Sequence, residues 1–292
     1  MEVNVKPGKY VLAVSGGVDS MALLDMLAHQ PGVEVVVAHF DHGIRPDSDE
    51  DRQLVAAAAT RYGLPFVFAQ GNLGPDASEA TARAARYAFL RQARAEQGAD
   101  AIITAHHQDD MLETALINML RGTGPRGLSS LNSTTEIVRP LLLVPKSQLR
   151  EYAAARNLPW REDSTNLSDR YLRNYLRRHI VPRMAPAQRQ QLLHYIATAR
   201  RLRQEIEAQL APQVSSPELD RRWFIQLPYA VSTEVMALWL RQHGVAFDRK
   251  TVHRLVVFAK TAAPGKYADA DATHHIYAGK NHITVAARVG LR

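Results

Sequence analysis

The 292-residue chain contains no cysteine. This absence excludes disulfide bonds, cysteine-ligated zinc, iron–sulfur clusters and persulfide chemistry. The first nine residues, MEVNVKPGK, lack the apolar core of a signal peptide. No run in the sequence approaches the roughly 18 apolar residues that a membrane-spanning helix requires. We therefore expect a cytoplasmic protein with no membrane partner.

Composition indicates a folded protein with a basic surface. Hydrophobic residues make up 46% of the chain and charged residues 22%, which are values typical of globular domains. The formal net charge of +7 favours contact with polyanions, because lysine and arginine attract phosphates. Charge alone leaves two interpretations open, a nucleic-acid partner or a basic enzyme without one.

Short apolar segments alternate with helical patterns in the first half of the chain. The predicted strands are Tyr10–Val14, Val33–Phe40, Pro65–Ala69 and Ala101–Ala105. The predicted helices are Asp19–His29, Ser48–Tyr62, Ser78–Gln97 and Gln108–Leu120. Strands that alternate with helices form right-handed crossovers and a parallel sheet covered on both faces. We predict an α/β, Rossmann-like fold whose ligands bind at the carboxyl ends of the strands.

The second half of the chain has a different pattern. Three further helices are predicted at Pro145–Asn157, Asp169–His179 and Ala187–Leu210, and the tetrapeptide VSSP at 214–217 is typical of a linker. Helices at Val231–His243 and Arg249–Lys260 are mixed with short strands at His274–Ala278 and His282–Ala286. We predict three parts: the α/β domain at 1–185, a helical linker at 186–217 and a small α+β domain at 218–292.

A glycine-rich loop follows the first predicted strand. Two glycines allow a tight turn and a close approach of the backbone to a ligand, and the N–H groups of the following helix attract an anion. Asp19 has the position from which a carboxylate would bind Mg²⁺ between phosphates. We expect an ATP site formed by Ser15, Gly16, Gly17, Val18, Asp19 and Ser20.

Polar clusters also follow the second and fourth predicted strands. His39 is one of the last two residues of the second predicted strand and Asp41 comes directly after it, and we expect His39 to line the nucleotide pocket. After the fourth strand come His106 and His107, then the carboxylates of Asp109, Asp110 and Glu113. One of these carboxylates could cap the helix N-terminus. Three crowded carboxylates repel one another unless a cation is present, either Mg²⁺ or the ammonium of an amine substrate.

Arg83 and Arg86 lie three residues apart on the helix predicted at Ser78–Gln97. They would belong to an ion-paired surface, which is usually worth less than about 1 kcal/mol. Alternatively, a guanidinium aimed at a departing pyrophosphate would stabilise the transition state.

Together these motifs resemble the tRNA(Ile)-lysidine synthetase family, a group of PP-loop ATP pyrophosphatases. The matching strings span residues 10–182 in family order: SGGVDS, HFDHGIR, EATARAARYAFL, TAHHQDDMLET, LRGTGPRGL, RPLL and WREDSTN followed by YLRN. The last third resembles the small substrate-recognition domain of the shorter members. We expect the short form, without the additional C-terminal domain of longer members.

The resemblance implies a reaction in two steps. The wobble cytidine of an isoleucine tRNA with a CAU anticodon is adenylated at its C2 oxygen by ATP, and free L-lysine then displaces AMP. Asp19, Arg86, Asp110 and Glu113 would be catalytic, and they should converge on one cleft. Asp19 and Asp110 would bind Mg²⁺. The oligomeric state stays open, and a homodimer is compatible with the sequence.

The resemblance and the arginine spacing together imply contacts with lysine or tRNA. Arg170, Arg173 and Arg177 share one helical face, and phosphate contacts from such a face position RNA without reading its sequence. Gly122–Gly127 is typical of a mobile loop over the site. The expected substrate contacts are Asp41, His107, Arg83, Arg126, Arg170, Arg173 and Arg177.

Two alternatives remain. Another PP-loop enzyme, a tRNA thiolase or an ammonia-using synthetase, would share the loop. Thiolases of this kind usually depend on cysteines, which this chain lacks, and an ammonia-using relative would need no tRNA. A non-catalytic RNA-binding protein on a degenerate scaffold would have lost Asp19, Asp110 or Glu113, and all three are present.

Overall fold

A five-stranded parallel sheet organises the first part of the chain. The computed structural model describes residues 1, 3–43, 48–71, 74, 78–123, 125–162 and 172–288. The strands are β1 (Gly8–Ala13), β2 (Val33–Asp41), β3 (Phe66–Gln70), β4 (Ala101–Thr104) and β5 (Ile137–Val138). Their spatial order is β3-β2-β1-β4-β5, and every neighbouring pair is parallel. The predicted parallel α/β fold is confirmed.

Helices connect these strands and continue beyond them. The first four are α1 (Val18–Ala28), α2 (Ser48–Arg61), α3 (Glu79–Glu96) and α4 (Gln108–Leu120). They are followed by α5 (Pro125–Leu128), α6 (Lys146–Ala155), α7 (Leu172–Tyr175), a π-helix (Leu176–Ile180), a 3₁₀ turn (Val181–Arg183) and α8 (Pro186–Val214). The segment Gly122–Gly127 was expected to be a loop, but Pro125 and the three residues after it form α5. Proline suits the first position of a helix because its missing N–H is not needed there.

Both faces of the sheet are buried, which explains why its strands are almost uninterrupted apolar runs. Leu12 of β1 packs with α1 on one side of the sheet. Its neighbour Val11 packs on the other side with Tyr87 and Leu90 of α3. Each buried aliphatic side chain of this kind contributes about 1.5–3 kcal/mol through removal of apolar surface from water.

The strand order places a crevice between β1 and β4. The chain moves from β1 outward to β2 and β3, and then returns to the other side of β1 to form β4 and β5. The segments after β1 and β4 therefore leave the sheet in opposite directions, and ligands of open α/β sheets bind at such a switch point. The Ser15–Ser20 loop and the start of α4 flank this crevice.

A separate antiparallel sheet forms in the last part of the chain. The chain divides into units Met1–Ala199 and Arg200–Arg292, with the division inside α8. The second unit contains β6 (Glu218–Asp220), α9 (Arg221–Gln226), α10 (Tyr229–Gln242), α11 (Arg249–Thr261), β7 (Lys266–Asp269), β8 (His274–Ala278) and β9 (His282–Ala287). Its strand order is β6-β9-β8-β7. The predicted boundaries at 185 and 217 stay predictions.

The buried faces of this second sheet and its helices form their own core. Trp239 and Phe224 are fully buried in it with Ile276 and Ile283. Arg221 is also buried, and its guanidinium donates to the carbonyl oxygens of Ala259, Ala262 and Gly279. Within the described residues, no helix is long and apolar enough to cross a membrane.

Candidate active site

The loop after β1 presents the N-terminus of α1 to the crevice. Gly16 has φ +90°, a left-handed conformation that glycine adopts without strain. Ser20 Oγ donates to the Gly17 carbonyl at 2.9 Å, and Ser15 N donates to Ser20 Oγ at 3.2 Å. Among the described residues, no side chain caps α1 at Gly17. An uncapped helix N-terminus behind a glycine turn is an anion-binding arrangement.

Asp19, in the first turn of α1, faces nitrogen atoms of two side chains. His107 Nε2 lies 3.4 Å from Asp19 Oδ2, and Lys146 Nζ lies 3.6 Å from the same oxygen. The other oxygen, Oδ1, is buried and has no hydrogen-bond partner among the described residues. Burial raises the pKa of Asp19, but His107 and Lys146 outweigh burial and hold it below 3.8. Asp19 is therefore an anion with one unused acceptor.

His107 links the two sides of the crevice. Its Nδ1 accepts from Asp109 N at 3.2 Å as the N-cap of α4, so the ring proton is on Nε2. Nε2 lies 3.4 Å from Oδ2 of Asp19 and 3.4 Å from Oδ2 of Asp110. His107 N also donates to Asp110 Oδ2 at 2.9 Å, which completes a reciprocal capping box. One imidazole thus holds the carboxylates of both elements.

Asp110 and Glu113 meet the guanidinium of Arg177. Arg177 donates from Nε to Glu113 Oε1 at 2.8 Å and from Nη2 to Glu113 Oε2 and Asp110 Oδ1, both at 2.9 Å. Burial raises the pKa of Asp110, but the nearby His107, His106 and Arg177 lower it to about 2. Burial lowers the pKa of Arg177. The contacts with Glu113 and Asp110 outweigh burial, so the pKa of Arg177 lies above its ordinary value.

Protein side chains supply the positive charge that the carboxylate cluster needs. Arg173 Nη2 donates to Thr114 Oγ1 at 3.0 Å, and its Nε lies 3.6 Å from Glu113 Oε2. Arg189 of α8 pairs with Asp109. The sequence predicted a bound Mg²⁺ or a substrate ammonium as the balancing charge, and it missed these three guanidinium partners.

His39 and Asp41 lie at the carboxyl end of β2. His39 is buried, and its Nδ1 donates to the Val14 carbonyl at 2.9 Å, directly before the loop. Burial lowers its pKa, so its ring is neutral. Asp41 accepts from Gly43 N at 2.8 Å and from Ser48 Oγ at 2.9 Å. His39 therefore contacts the backbone just before the loop, and Asp41 binds both Gly43 and Ser48, the first residue of α2.

Arg83 and Arg86 lie around Tyr87 on α3. The guanidinium carbons are 4.7 Å and 5.6 Å from the centre of the Tyr87 ring. Both charges also act on His106, next to His107. Burial lowers the pKa of His106 to about 3, and the charges of Arg139, Arg86 and Arg83 add to that effect. This electrostatic coupling relates both arginines to the crevice, although their predicted roles stay predictions.

Two further arginines, Arg126 and Arg170, were predicted to contact the substrate. Arg126 belongs to the short helix α5, and its side chain lies outside the described atoms. Arg170 lies outside the described residues. The roles assigned to both from the sequence therefore stay predictions.

Two contributors to the site were missed from the sequence. Lys146 is the first residue of α6, and it follows the RPLL motif, which was noted without a role for this lysine. Arg161 fastens the loop: its N donates to the Gly16 carbonyl at 3.0 Å, and its Nε lies 3.0 Å from Asp51 Oδ1. The only available signal was the WRED string, which does not show its partner.

The geometry defines an α/β protein with a helix N-terminus, uncapped by any described side chain, at the switch point of its sheet. The family model for the PP-loop domain matches residues 2–184, and the chain belongs to the PP-loop family. The predicted membership in the PP-loop family is confirmed.

Curated relatives carry a narrower name. A tRNA(Ile)-lysidine synthase from Thermus thermophilus is 37% identical over 272 residues, covering 88% of this chain and 52% of the relative. Another from Thermotoga maritima is 34% identical over 250 residues, covering 81% of this chain and 59% of the relative. The chain therefore spans somewhat more than half the length of these relatives.

A solved structure shows the same fold. A U34-tRNA thiolase from Methanococcus maripaludis superposes with a TM-score of 0.53 at 16% identity, covering 68% of this chain and 73% of the thiolase. At this level of identity, the similarity concerns the fold alone.

Proposed function

We propose that this protein ligates L-lysine to C2 of the wobble cytidine of an isoleucine tRNA with a CAU anticodon. The names of the relatives support a tRNA-modifying ligase. The observation that carries the proposal is the link through His107 Nε2, 3.4 Å from both Asp19 and Asp110, between the phosphate loop and the acidic helix. In the proposed reaction, the phosphate loop would bind ATP and the acidic helix would bind the attacking amine, so the two elements must lie side by side.

The family match supports ATP binding at the Ser15–Ser20 loop. The N–H groups at the start of α1 would hold phosphate oxygens, and the ammonium of Lys146 would face the same oxygens from α6. Lys146 then neutralises charge that develops as pyrophosphate leaves. Arg86 and Arg83 are candidates for the same role from α3.

The acidic residues also fit Mg²⁺. Among the described residues, no three histidine or acidic side chains are grouped to hold a metal by themselves. Mg²⁺ in nucleotide sites usually takes only one or two carboxylates and completes its shell with phosphates and water. Asp19, whose Oδ1 is buried without a hydrogen-bond partner in the described part of the chain, fits this mode. Asp110 would be the second ligand and would exchange one of its contacts with His107 and Arg177 for the metal. The metal would neutralise phosphate charge.

Two displacements make up the proposed reaction. The C2 oxygen of cytidine attacks the α-phosphorus of ATP, and the bond to pyrophosphate breaks. The ε-amine of lysine then attacks C2, the C2–O bond breaks and AMP leaves, while the amine loses a proton. Asp110 and Glu113 provide anionic charge for the incoming ammonium, and one of them would accept that proton.

Incorporation of labelled lysine tests the proposal directly. The reaction contains ATP, Mg²⁺ and an isoleucine tRNA with a CAU anticodon, and a methionine tRNA with the same anticodon is the control. Lysine should enter only the isoleucine tRNA. ATP–pyrophosphate exchange stimulated by tRNA, without lysine incorporation, would keep the PP-loop chemistry and overturn the lysine assignment.

A further inference from the structure

The helical segment that holds Arg177 also has an outward face. Arg173, Leu176 and Arg177 turn toward the carboxylates of α4 and the buried core. Tyr175 is 46% exposed on the other side of the same segment. Its ring centre lies 4.9 Å from that of His179, with an angle of 41° between the planes. The segment therefore presents an aromatic surface within two residues of the arginine that binds the catalytic carboxylates.

This aromatic pair lies in a part of the chain that carries only positive formal charge. Residues 172–199 contain five arginines and neither Asp nor Glu. Three of those arginines face α4, whereas Arg178 and Arg183 are exposed. Leu172 and Ile180 are further exposed apolar side chains of the same segment. An apolar and aromatic surface bordered by arginines is complementary to nucleotides, because bases stack on rings and phosphates pair with guanidinium groups.

The backbone of this segment is also unusual. Leu176–Ile180 form a π-helix between α7 and a 3₁₀ turn. π-helical turns are rare and often occur at functional sites. Arg177, within this π-helix, contacts the carboxylates of α4, whereas Tyr175, just before it, is exposed.

We propose that Tyr175 and His179 form a stacking site for an unpaired base next to the base that is modified. The inference rests on the proposed function, which requires RNA at this crevice. A base presented for reaction at C2 must leave the stack of its loop, which leaves a neighbouring base without a stacking partner. An aromatic pair beside Arg177 would receive that neighbour, as aromatic side chains do for single-stranded RNA.

The test uses a short RNA hairpin whose loop contains the sequence CAU. The adenine of this sequence, which is next to the cytidine, is replaced by fluorescent 2-aminopurine. Binding to the wild-type protein should change the 2-aminopurine fluorescence as the base stacks on Tyr175. Tyr175→Leu should remove this change at saturation and weaken hairpin binding about tenfold, the order found when stacked aromatics are lost. Tyr175→Phe keeps the ring and should behave as the wild type does.

Tyr229→Leu is the matched control. Tyr229 is 47% exposed, and its ring lies 5.7 Å from that of His253, so it is another exposed Tyr–His pair. The Tyr229→Leu variant should keep the fluorescence change and the hairpin affinity of the wild type. An equal loss in Tyr229→Leu would show a non-specific effect of removing a surface tyrosine and would overturn the inference.

The outcomes separate this inference from the proposed function. Lysine incorporation by the wild type, with unchanged hairpin fluorescence and affinity in Tyr175→Leu, would overturn the stacking site alone. Loss of the fluorescence change in Tyr175→Leu, with no lysine incorporation by the wild type, would support stacking and refute the proposed ligation. A change in sedimentation of Tyr175→Leu without any change in RNA binding would identify a protein-docking surface and refute the stacking site.

Discussion

The guanidinium of Arg177 holds both oxygens of Glu113, from Nε at 2.8 Å and from Nη2 at 2.9 Å. Glu113 is almost fully buried, with 1% of its side chain exposed. In this structure Arg177 neutralises carboxylates of α4, and its predicted contact with tRNA or lysine stays a prediction. A buried carboxylate depends on such a partner, because an uncompensated charge in the interior is strongly destabilising.

Replacing Arg177 should therefore destabilise the fold. We expect Arg177→Ala to lower the free energy of unfolding by about 3 kcal/mol, the lower end for breaking a buried ion pair. Urea denaturation followed by circular dichroism measures this change. Arg150→Ala is the matched control, since Arg150 and Glu162 form an exposed pair at 2.7 Å, which is worth less than about 1 kcal/mol. Equal losses in the two variants would contradict a buried role for Arg177.

Variants of His107 should separate capping from contact with Asp19. His107→Ala removes the N-cap of α4 and should cost about 0.5–2 kcal/mol of stability. His107→Asn supplies a good N-cap oxygen on a shorter side chain, so stability should stay near that of the wild type. ATP affinity should fall in both, because Asp19 loses the Nε2 partner at 3.4 Å. Denaturation and calorimetric titration with ATP measure the two effects, and wild-type affinity in His107→Asn would refute the link.

Lys146 should contribute to ATP binding through its charge. Its Nζ lies 3.6 Å from Asp19 Oδ2, so a bound phosphate would share this environment. We expect Lys146→Met to weaken ATP about tenfold, consistent with loss of one charge-assisted hydrogen bond. Lys146→Arg should retain most of the affinity. Lys9→Met, in strand β1 near its amino end, is the control, and an equal effect there would indicate only long-range charge.

Asp25 should make stability depend on pH. Its Oδ2 accepts from Tyr152 at 2.6 Å and from Arg156 at 3.1 Å, and Oδ1 accepts from Tyr62 at 2.8 Å. Burial raises the pKa of Asp25, but these hydrogen bonds and the charge of Arg156 hold it below 3.8. Because the pKa is lower in the folded state, the ionised carboxylate stabilises the fold at pH values above 3.8. This contribution disappears as the pH falls through the pKa of the folded state.

Asp25→Asn should cost about 1–2 kcal/mol near neutral pH, and the difference from the wild type should shrink below about pH 4. Denaturation at a series of pH values measures the difference. Asp49→Asn is the control because the Asp49 side chain is 66% exposed. A pH-independent cost in Asp25→Asn would show that packing, not ionisation, explains the loss.

Several features of the site could be predicted from the sequence because each depends on local order along the chain. The glycine turn and Asp19 follow a strand directly, and so do His107, Asp110 and Glu113. Parallel strands end at one edge, so residues placed after two neighbouring strands must approach each other. Lys146, at the start of α6, also contacts Asp19. Its position depends on how a helix distant in the sequence packs, and no local pattern in the sequence predicts that.

The sequence itself determined the parallel sheet, the phosphate loop and the acidic start of α4, because hydrophobic periodicity, glycine conformation and helix capping act within a few residues. The tertiary structure alone decided which charges meet. Arg177 and Glu113 are 64 positions apart, and spacing along a helix predicted only that Arg173 and Arg177 share a face, not what that face contacts. Burial settles this point, since three carboxylates removed from water require cations nearby, and the fold supplies Arg173, Arg177 and Arg189.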